Sequence, residues 1–204
     1  MPALRVHERE EQLRAARLEA EGCRRCDLWR RATQVVFGEG ATATRLVLVG
    51  EQPGDAEDQE GRPFVGPAGR LLRDVLEEVG LAEREVYLTN AVKHFKWKER
   101  GTRRIHDKPG WIEIRACSHW LSLELGIIEP ELVVCLGATA AQALLGKEAR
   151  VMALRGRVLE DTGLPFPALV TIHPSAVLRG GERRGELRRL LAEDLGLARE
   201  ALEA

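Results

Sequence analysis

The sequence has 204 residues, of which 44% are hydrophobic and 31% charged, with a net charge of −1. We expect a single domain spanning 1–204, because this length and composition suit one globular core and exclude bulk disorder. No apolar run is long enough for a membrane-spanning helix, and residues 1–22 are charged throughout, so we expect neither such a helix nor a secretory signal peptide. Since four cysteines are too few for a disulfide scaffold, we expect a cytoplasmic protein whose Cys-x-x-Cys pair indicates metal or redox chemistry.

Helices and strands alternate along the predicted chain. In chain order, we expect a helix at 7–21, an edge strand at 33–37, a buried strand at 45–50, a helix at 68–79, a strand at 86–90, a helix at 109–126, a strand at 132–137, a short helix ending at 145, a strand at 168–172 and a helix from about 182 to 195. The segment 93–108 is expected to be a basic loop with little regular structure. This order predicts a three-layer α/β/α fold around a central, mostly parallel four-stranded sheet.

Polar residues follow each of the four buried strands. Gly50–Gly54 follows the first, Asn90 ends the second, Gly137–Thr139 follows the third and His173–Ser175 follows the fourth. Because ligands of such sheets bind beyond the carboxyl ends of the strands, these residues should meet at one rim. The sequence therefore predicts an active site there.

The charged residues are unevenly distributed along this nearly neutral chain. Residues 93–108 contain seven Lys or Arg and two acidic residues, which gives +5, and residues 179–189 contain five Arg and two Glu, which gives +3. Two local basic segments suit a phosphate-binding face. The alternative is that both are ordinary solvated surfaces.

Cys23 and Cys26 have the spacing of a chelating thiolate pair. Cys117 and His94 are candidates for two further ligands. Cys135 lies within an apolar strand and is expected to be a core residue. The residue types leave three alternatives open, which are a Cys3His zinc site, an iron–sulfur cluster, and reduced thiols without a metal.

Several motifs carry a resemblance to a known family. Residues 50–58 read Gly-Glu-Gln-Pro-Gly-Asp-Ala-Glu-Asp, and residues 61–69 read Gly-Arg-Pro-Phe-Val-Gly-Pro-Ala-Gly. Together with Thr89-Asn90 and His173-Pro174-Ser175, they resemble the uracil-DNA glycosylase superfamily, in particular its iron–sulfur branch, family 4. The resemblance extends from the Cys pair to Arg179.

Three departures from the family 4 pattern resemble the UdgX subgroup, whose members bind uracil-containing DNA and become covalently attached to it. Gln52 replaces an Ala, His94 replaces a Cys, and Arg103-Arg104-Ile105-His106 replaces a Pro-rich segment. The subgroup's loop begins with Lys, where this chain has Thr102, so one basic side chain is missing. The resemblance implies a [4Fe–4S] cluster held by Cys23, Cys26, His94 and Cys117.

The resemblance also implies a pocket that reads a flipped uracil. Phe64 would stack on the base, and the Asn90 amide would pair with uracil N3–H and O4. The Gln52–Gly54 backbone would supply N–H groups to a base carbonyl. The uracil-binding residues implied in this way are Gln52, Gly54, Asp55, Phe64 and Asn90.

Three residues would carry the chemistry implied by the resemblance. His173 would stabilise the charge that develops on uracil O2, and His106 would attack C1′ of the sugar. Glu51 would either orient His106 and stabilise its positive charge or position a water, and the sequence leaves both open. The implied DNA-binding residues are Arg103, Arg104, Lys108, Ser175, Leu178 and Arg179.

We therefore expect a monomeric DNA repair protein that excises uracil and traps itself on the abasic site in a single turnover. Its partner would be uracil-containing DNA, single-stranded or double-stranded, with no membrane involved. One alternative is an ordinary glycosylase in which water outcompetes His106. Another is a non-catalytic metal protein that binds nucleic acid through the basic loop.

Overall fold

The structure is a computed structural model that describes residues 6–204. The expected domain starts at residue 1, so its first five residues lie outside the described part. The helices are α1 (Val6–Glu21), α2 (Asp55–Glu60), α3 (Pro67–Glu78), α4 (Trp111–Ile128), α5 (Ala138–Leu145), α6 (Val151–Leu154), α7 (Pro174–Leu178) and α8 (Arg184–Glu203). The strands are β1 (Glu39–Gly40), β2 (Leu46–Gly50), β3 (Val86–Asn90), β4 (Trp97–Arg100), β5 (Arg103–His106), β6 (Leu132–Leu136), β7 (Val158–Leu159) and β8 (Ala168–Thr171).

The central sheet has the order β1-β3-β2-β6-β8-β7, in which β3, β2, β6 and β8 are parallel. These four strands are buried along their whole length, as expected for continuous apolar runs covered on both faces. The prediction of a mostly parallel sheet is confirmed, but its count of four strands was too low. Two antiparallel edge strands of two residues each, β1 and β7, are too short to produce a periodic pattern.

The edge strand predicted at 33–37 is also wrong in position. The strand that pairs with β3 is β1, a few residues later in the chain. Val36 and Phe37 are instead buried in the core, and the Val36 N–H donates to the carbonyl of Lys93. Their apolar character reflects this burial rather than a strand.

The segment predicted as a structure-poor loop contains a β-hairpin. Strands β4 and β5 pair antiparallel, with Trp97 opposite His106 and Arg100 opposite Arg103. Gly101 adopts the left-handed φ of +62° in the two-residue connection, a conformation that glycine adopts without steric cost. The hairpin was missed because its residues are mostly charged and show no apolar alternation.

The core has two halves, one on each face of the sheet. Side chains of α1, α4 and α5 pack on one face, and side chains of α3, α7 and α8 pack on the other. This confirms the three-layer α/β/α prediction. Cys135 is fully buried in the first half, as predicted for a core residue. No helix among residues 6–204 is long and apolar enough to cross a membrane.

Candidate active site

A cavity of about 830 Å³ lies at the carboxyl ends of the parallel strands, in the size range of small-molecule sites. It is lined by residues that follow β2, β3, β6 and β8, together with the end of the hairpin. The sequence-predicted residues that line it are Glu51, Gln52, Gly54, Asp55, Phe64, Asn90, His106, His173, Ser175, Leu178 and Arg179. The convergence predicted from the strand ends is therefore present. Arg103, Arg104 and Lys108 are not among the lining residues.

Glu51 and His106 form a pair inside this cavity. Nε2 of His106 lies 3.0 Å from Oε1 of Glu51, although the two residues come from the loop after β2 and the end of β5. The other carboxylate oxygen accepts a hydrogen bond from the Thr139 hydroxyl in the first turn of α5. Burial alone would raise the pKa of Glu51, but these hydrogen bonds and the charges of His106 and His173 lower it overall. Glu51 is thus a carboxylate at neutral pH with both oxygens engaged.

Thr139 is a site residue whose role sequence reasoning missed. The only signal was its place directly after the third buried strand, where a polar residue was already expected to face the rim. Its side chain fixes the orientation of the Glu51 carboxylate from the side opposite His106.

His173 is held as a neutral imidazole with a defined tautomer. It is the N-cap residue of α7, and its Nδ1 accepts a hydrogen bond of 3.1 Å from the Ser175 N–H. Burial lowers its pKa to about 4, with the Glu51 charge opposing this shift and Arg179 and His106 adding to it. Because Nδ1 is an acceptor in the neutral ring, the proton resides on Nε2. His173 therefore contributes one N–H donor in the cavity.

Phe64 and Asn90 lie close together at the floor of the cavity. A Cβ at Gly50 would lie 2.6 Å from Cζ of Phe64 and would collide with Oδ1 of Asn90. Phe64 has a left-handed φ of +57°, which is rare for an aromatic residue and marks local strain. Its ring is roughly parallel to that of His173, with 6.4 Å between the ring centroids. The floor thus offers an aromatic face beside a side-chain amide.

The loop between β2 and α3 is fixed by Glu57, a residue that the sequence reasoning did not single out. Its carboxylate accepts hydrogen bonds from the N–H groups of Gly54, at 3.1 Å, and Gly66, at 2.8 Å. The signal was available, since an acidic residue three positions after a helix N-cap is a capping-box pattern. The Gly54 N–H was expected to bind a base carbonyl, but it already donates to Glu57. Pro53 has no N–H, so of the three positions only Gln52 keeps an amide for a base carbonyl.

The side chain of Gln52 connects the motif loop to the hairpin. Its Nε2 donates to the carbonyls of Lys96 and Asp107, at 3.1 Å each, and its Oε1 accepts from the Lys96 N–H at 3.1 Å. Lys96 and Asp107 are the residues that flank β4 and β5. Sequence reasoning considered only the backbone of Gln52, whereas the structure assigns its side chain to the base of the hairpin that carries His106.

Arg104 has partners that the sequence reasoning did not foresee. Its guanidinium forms ion pairs with Asp55, at 2.5 Å, and with Asp58, at 2.6 Å. It also lies over the rings of Phe95 and Trp97, at 5.5 and 5.6 Å from their centroids. The structure therefore gives Arg104 a role within the protein, and its contact with DNA stays a prediction. The side chains of Arg103 and Lys108 are exposed, as a phosphate contact requires.

The sulfur ligands proposed for a metal lie near one another beside this site. The Trp120 Nε1–H donates to Cys23 Sγ, and the Lys93 N–H donates to Cys117 Sγ, at 3.2 Å each. Burial raises the pKa of Cys117 to about 11, the Lys93 amide and charge oppose this, and the nearby Cys26 and Cys23 add to it. The three thiols are thus close enough to influence one another electrostatically.

His94 has the features expected of a metal ligand. It is buried, its Nδ1 has no hydrogen-bond partner, and burial lowers its pKa to about 4, so that the ring is neutral. A buried unpaired ring nitrogen is costly unless it binds something. Within residues 6–204, no three His, Cys, Asp or Glu side chains form a ready site for a metal ion. The donor set of three thiols and a neutral imidazole nevertheless fits an iron–sulfur cluster chemically.

The chain is similar in sequence to a known protein family and to several of its members. Residues 37–196 match the family described as the uracil DNA glycosylase superfamily. The chain is 38% identical to the type-4 uracil-DNA glycosylase of Thermotoga maritima over 95% of this chain and 96% of the relative. It is 34% identical to the type-4 uracil-DNA glycosylase of Pyrobaculum aerophilum over 86% and 89% of the two chains. Similarity to the type-5 uracil-DNA glycosylase of Thermus thermophilus, at 36% identity, covers only 54% and 53%.

Proposed function

Because the chain belongs to the uracil-DNA glycosylase superfamily, we propose that it excises uracil from DNA and then bonds through His106 to C1′ of the abasic site. The observation that carries the second step is the 3.0 Å contact between His106 and Glu51 in the cavity that also contains Asn90 and His173. We further propose that it acts as a monomer on uracil-containing DNA, single-stranded or double-stranded.

Base recognition would use the floor of the cavity. The flipped uracil would stack on Phe64, whose ring is set by its left-handed backbone. The Asn90 amide would donate to uracil O4 and accept from N3–H, a pattern that cytosine does not match. The side chains of Phe64 and Asn90 come close together next to Gly50, which supports their contacting the same base.

Breaking the glycosidic bond leaves negative charge on the departing uracil. The His173 Nε2–H would donate to uracil O2 where this charge develops. A donor of this kind lowers a barrier by about 3 kcal/mol in comparable sites. The neutral tautomer fixed by the Ser175 amide supports this role, since the proton is already on the required nitrogen.

Capture by His106 follows from the same pair of residues. The glycosidic bond breaks with its electron pair moving to uracil N1. In the resting pair His106 Nε2 carries the proton that it donates to Glu51, because a carboxylate only accepts, so the free lone pair of the neutral ring is on Nδ1. This lone pair would form the bond to C1′, the ring would become positively charged, and uracil would gain a proton from solvent. The lowered pKa of Glu51 keeps it a carboxylate, which would stabilise the charge on the ring through the Nε2–H.

An ordinary glycosylase is the second candidate, favoured by the similarity to type-4 uracil-DNA glycosylases over nearly the whole chain. In this case Glu51 would hold a water in the position where His106 would otherwise attack. The half-exposed His106 side chain leaves room for water to reach the cavity.

One gel experiment separates the candidates. Purified protein is mixed with a single-stranded oligonucleotide carrying one uracil, and the products are resolved under denaturing conditions after heating. We expect a heat-stable shifted band that is lost with His106→Ser, while uracil is still released. His119→Ser is the matched control, because His119 is an exposed histidine of α4 that does not line the cavity. Abasic product beyond one equivalent without a shifted band would establish the ordinary glycosylase, and no uracil release would overturn both.

We propose that Cys23, Cys26, His94 and Cys117 hold an iron–sulfur cluster that serves to join the N-terminal segment to α4. The buried thiols of Cys23 and Cys117 and the unpaired His94 Nδ1 support this assignment. Iron and acid-labile sulfide are measured in purified protein, with His94→Ala and Cys135→Ala compared. We expect iron to be reduced by the first substitution only. Equal iron content in all three proteins at a trace level would contradict the proposal.

A further inference from the structure

The most deeply buried ion pair among residues 6–204 joins Lys93 to Glu124, in contact with Asn90. Lys93 is 1% exposed and Glu124 is 0% exposed at their side chains, and their charged groups are in hydrogen-bond contact. Taking two charges out of water costs several kcal/mol per ion before their mutual attraction is counted. The reaction described above uses neither group, so the pair needs another explanation.

Both charges are saturated with hydrogen bonds. Glu124 accepts from the Gly38 N–H at 2.8 Å, the Tyr87 hydroxyl at 3.1 Å and the Thr89 hydroxyl at 2.9 Å. Lys93 Nζ reaches Thr89 Oγ1 at 2.6 Å, and it lies 5.5 Å from the ring centroid of Phe37. Complete satisfaction of this kind makes a polar network rigid.

The network reaches the cavity through one bond. Lys93 Nζ donates to the carbonyl oxygen of Asn90 at 2.8 Å. Asn90 is the last residue of β3, and its side-chain amide lines the cavity. Lys93 therefore fixes the backbone of Asn90, the residue that would read the base, at the carboxyl end of β3.

We propose that Lys93 and Glu124 are positioning residues that set the Asn90 amide for uracil recognition. This inference rests on the proposed function of the cavity. A displacement of about 1 Å in a positioning group can cost roughly 100-fold in rate. The buried pair supplies a fixed anchor that a hydrophobic side chain of similar volume would not, because only a donor can hold the Asn90 carbonyl.

The test uses the double variant Lys93→Met/Glu124→Gln, which removes both charges together and so leaves no unpaired buried ion. The substitution keeps the backbone N–H of Lys93 that donates to Cys117. Single-turnover uracil release is measured against protein concentration, with thermal unfolding and iron content recorded for each variant. We expect release at saturation to slow by about 10-fold to 100-fold. Arg155→Met, which breaks the largely buried pair with Asp194 away from the cavity lining, is the control for lost stability and should keep its rate.

A second measurement separates positioning from general damage. In an Asn90→Ala background, the double substitution should cause no further loss, because positioning residues act only through the group they position. Thr89→Val, which removes the hydroxyl between the two charges, provides the milder variant should the double variant not fold, and it should slow release in the same direction. Unchanged release in folded Thr89→Val or double-variant protein, or losses that add to that of Asn90→Ala, would overturn the inference. Absence of uracil release from the unsubstituted protein would instead overturn the proposed function.

Discussion

The side-chain amide of Gln52 pairs with both backbone polar groups of Lys96, as a neighbouring strand would. It donates to the Lys96 carbonyl and accepts from the Lys96 N–H, and it donates again to the carbonyl of Asp107. Asp107 and Lys96 are themselves joined by a backbone hydrogen bond of 2.9 Å. One side chain from the motif loop therefore holds both ends of the hairpin, directly next to His106.

Gln52→Ala should uncouple capture from excision. The substitution removes three hydrogen bonds at about 1 kcal/mol each and takes from the Lys96 N–H and the Asp107 carbonyl their side-chain partner, so the end of the hairpin should shift. We expect the ratio of covalent adduct to released uracil to fall about tenfold, because His106 moves while the cavity floor stays. Adduct and uracil are quantified from the same reaction. Gln59→Ala, which removes an exposed amide on α2, is the control, and an unchanged ratio in Gln52→Ala would contradict this role.

Arg104→Met should lower the stability of the protein, whereas Arg103→Met should weaken its binding to DNA. Asp58 is fully buried, and Arg104 supplies its charged partner, so Arg104→Met should lower the free energy of unfolding by about 2 kcal/mol. The neighbouring Arg103 is exposed, and its loss should leave stability unchanged while weakening DNA binding and its salt dependence. Denaturant unfolding and binding at two salt concentrations measure both. Equal stability of the two variants would show that the ion pairs of Arg104 contribute little.

The sequence predicted the parallel strands and their rim because these features depend on local patterns. A continuous apolar run such as Leu46–Gly50 identifies a buried parallel strand wherever it occurs. The hairpin and the role of Arg104 depend instead on pairing between distant segments. A count of +5 for residues 93–108 treated Lys93 and Arg104 as surface charge, although their partners, Glu124 and Asp58, lie 31 and 46 positions away.

The residues that we propose as catalytic could be predicted from the sequence, but the contacts between them could not. His106, Glu51 and His173 were each identified from motifs, but their mutual distances depend on how the hairpin folds back over the rim. Thr139 makes no motif of its own in the sequence, and the capping-box position of Glu57 predicts its bond to Gly54 but not the one to Gly66. Their effect follows from side-chain geometry, which a linear pattern does not contain.

Gly50→Ala should block the base pocket without unfolding the protein. The added Cβ would lie 2.6 Å from Cζ of Phe64 and would meet Oδ1 of Asn90, so these two side chains must move apart. Uracil release should drop by about 100-fold, and the overpacking should lower the free energy of unfolding by about 1–3 kcal/mol. Gly126→Ala is the control, because nothing lies within 4 Å of its added Cβ. Normal release by Gly50→Ala would mean that Phe64 and Asn90 do not form the recognition surface.

The neutral state of the partly buried His173 should make stability depend on pH. Its pKa is about 4 in the folded protein and about 6.5 in an unfolded chain, so the unfolded state binds more protons between these values. The free energy of unfolding should therefore fall as pH drops from about 6.5 towards 4, by up to about 3 kcal/mol from this residue. Denaturant unfolding at pH 7 and pH 4.5 measures the change in wild-type protein and in His173→Asn. The variant should be less sensitive to pH over this interval, and an identical pH dependence in both proteins would contradict the assignment of a neutral His173.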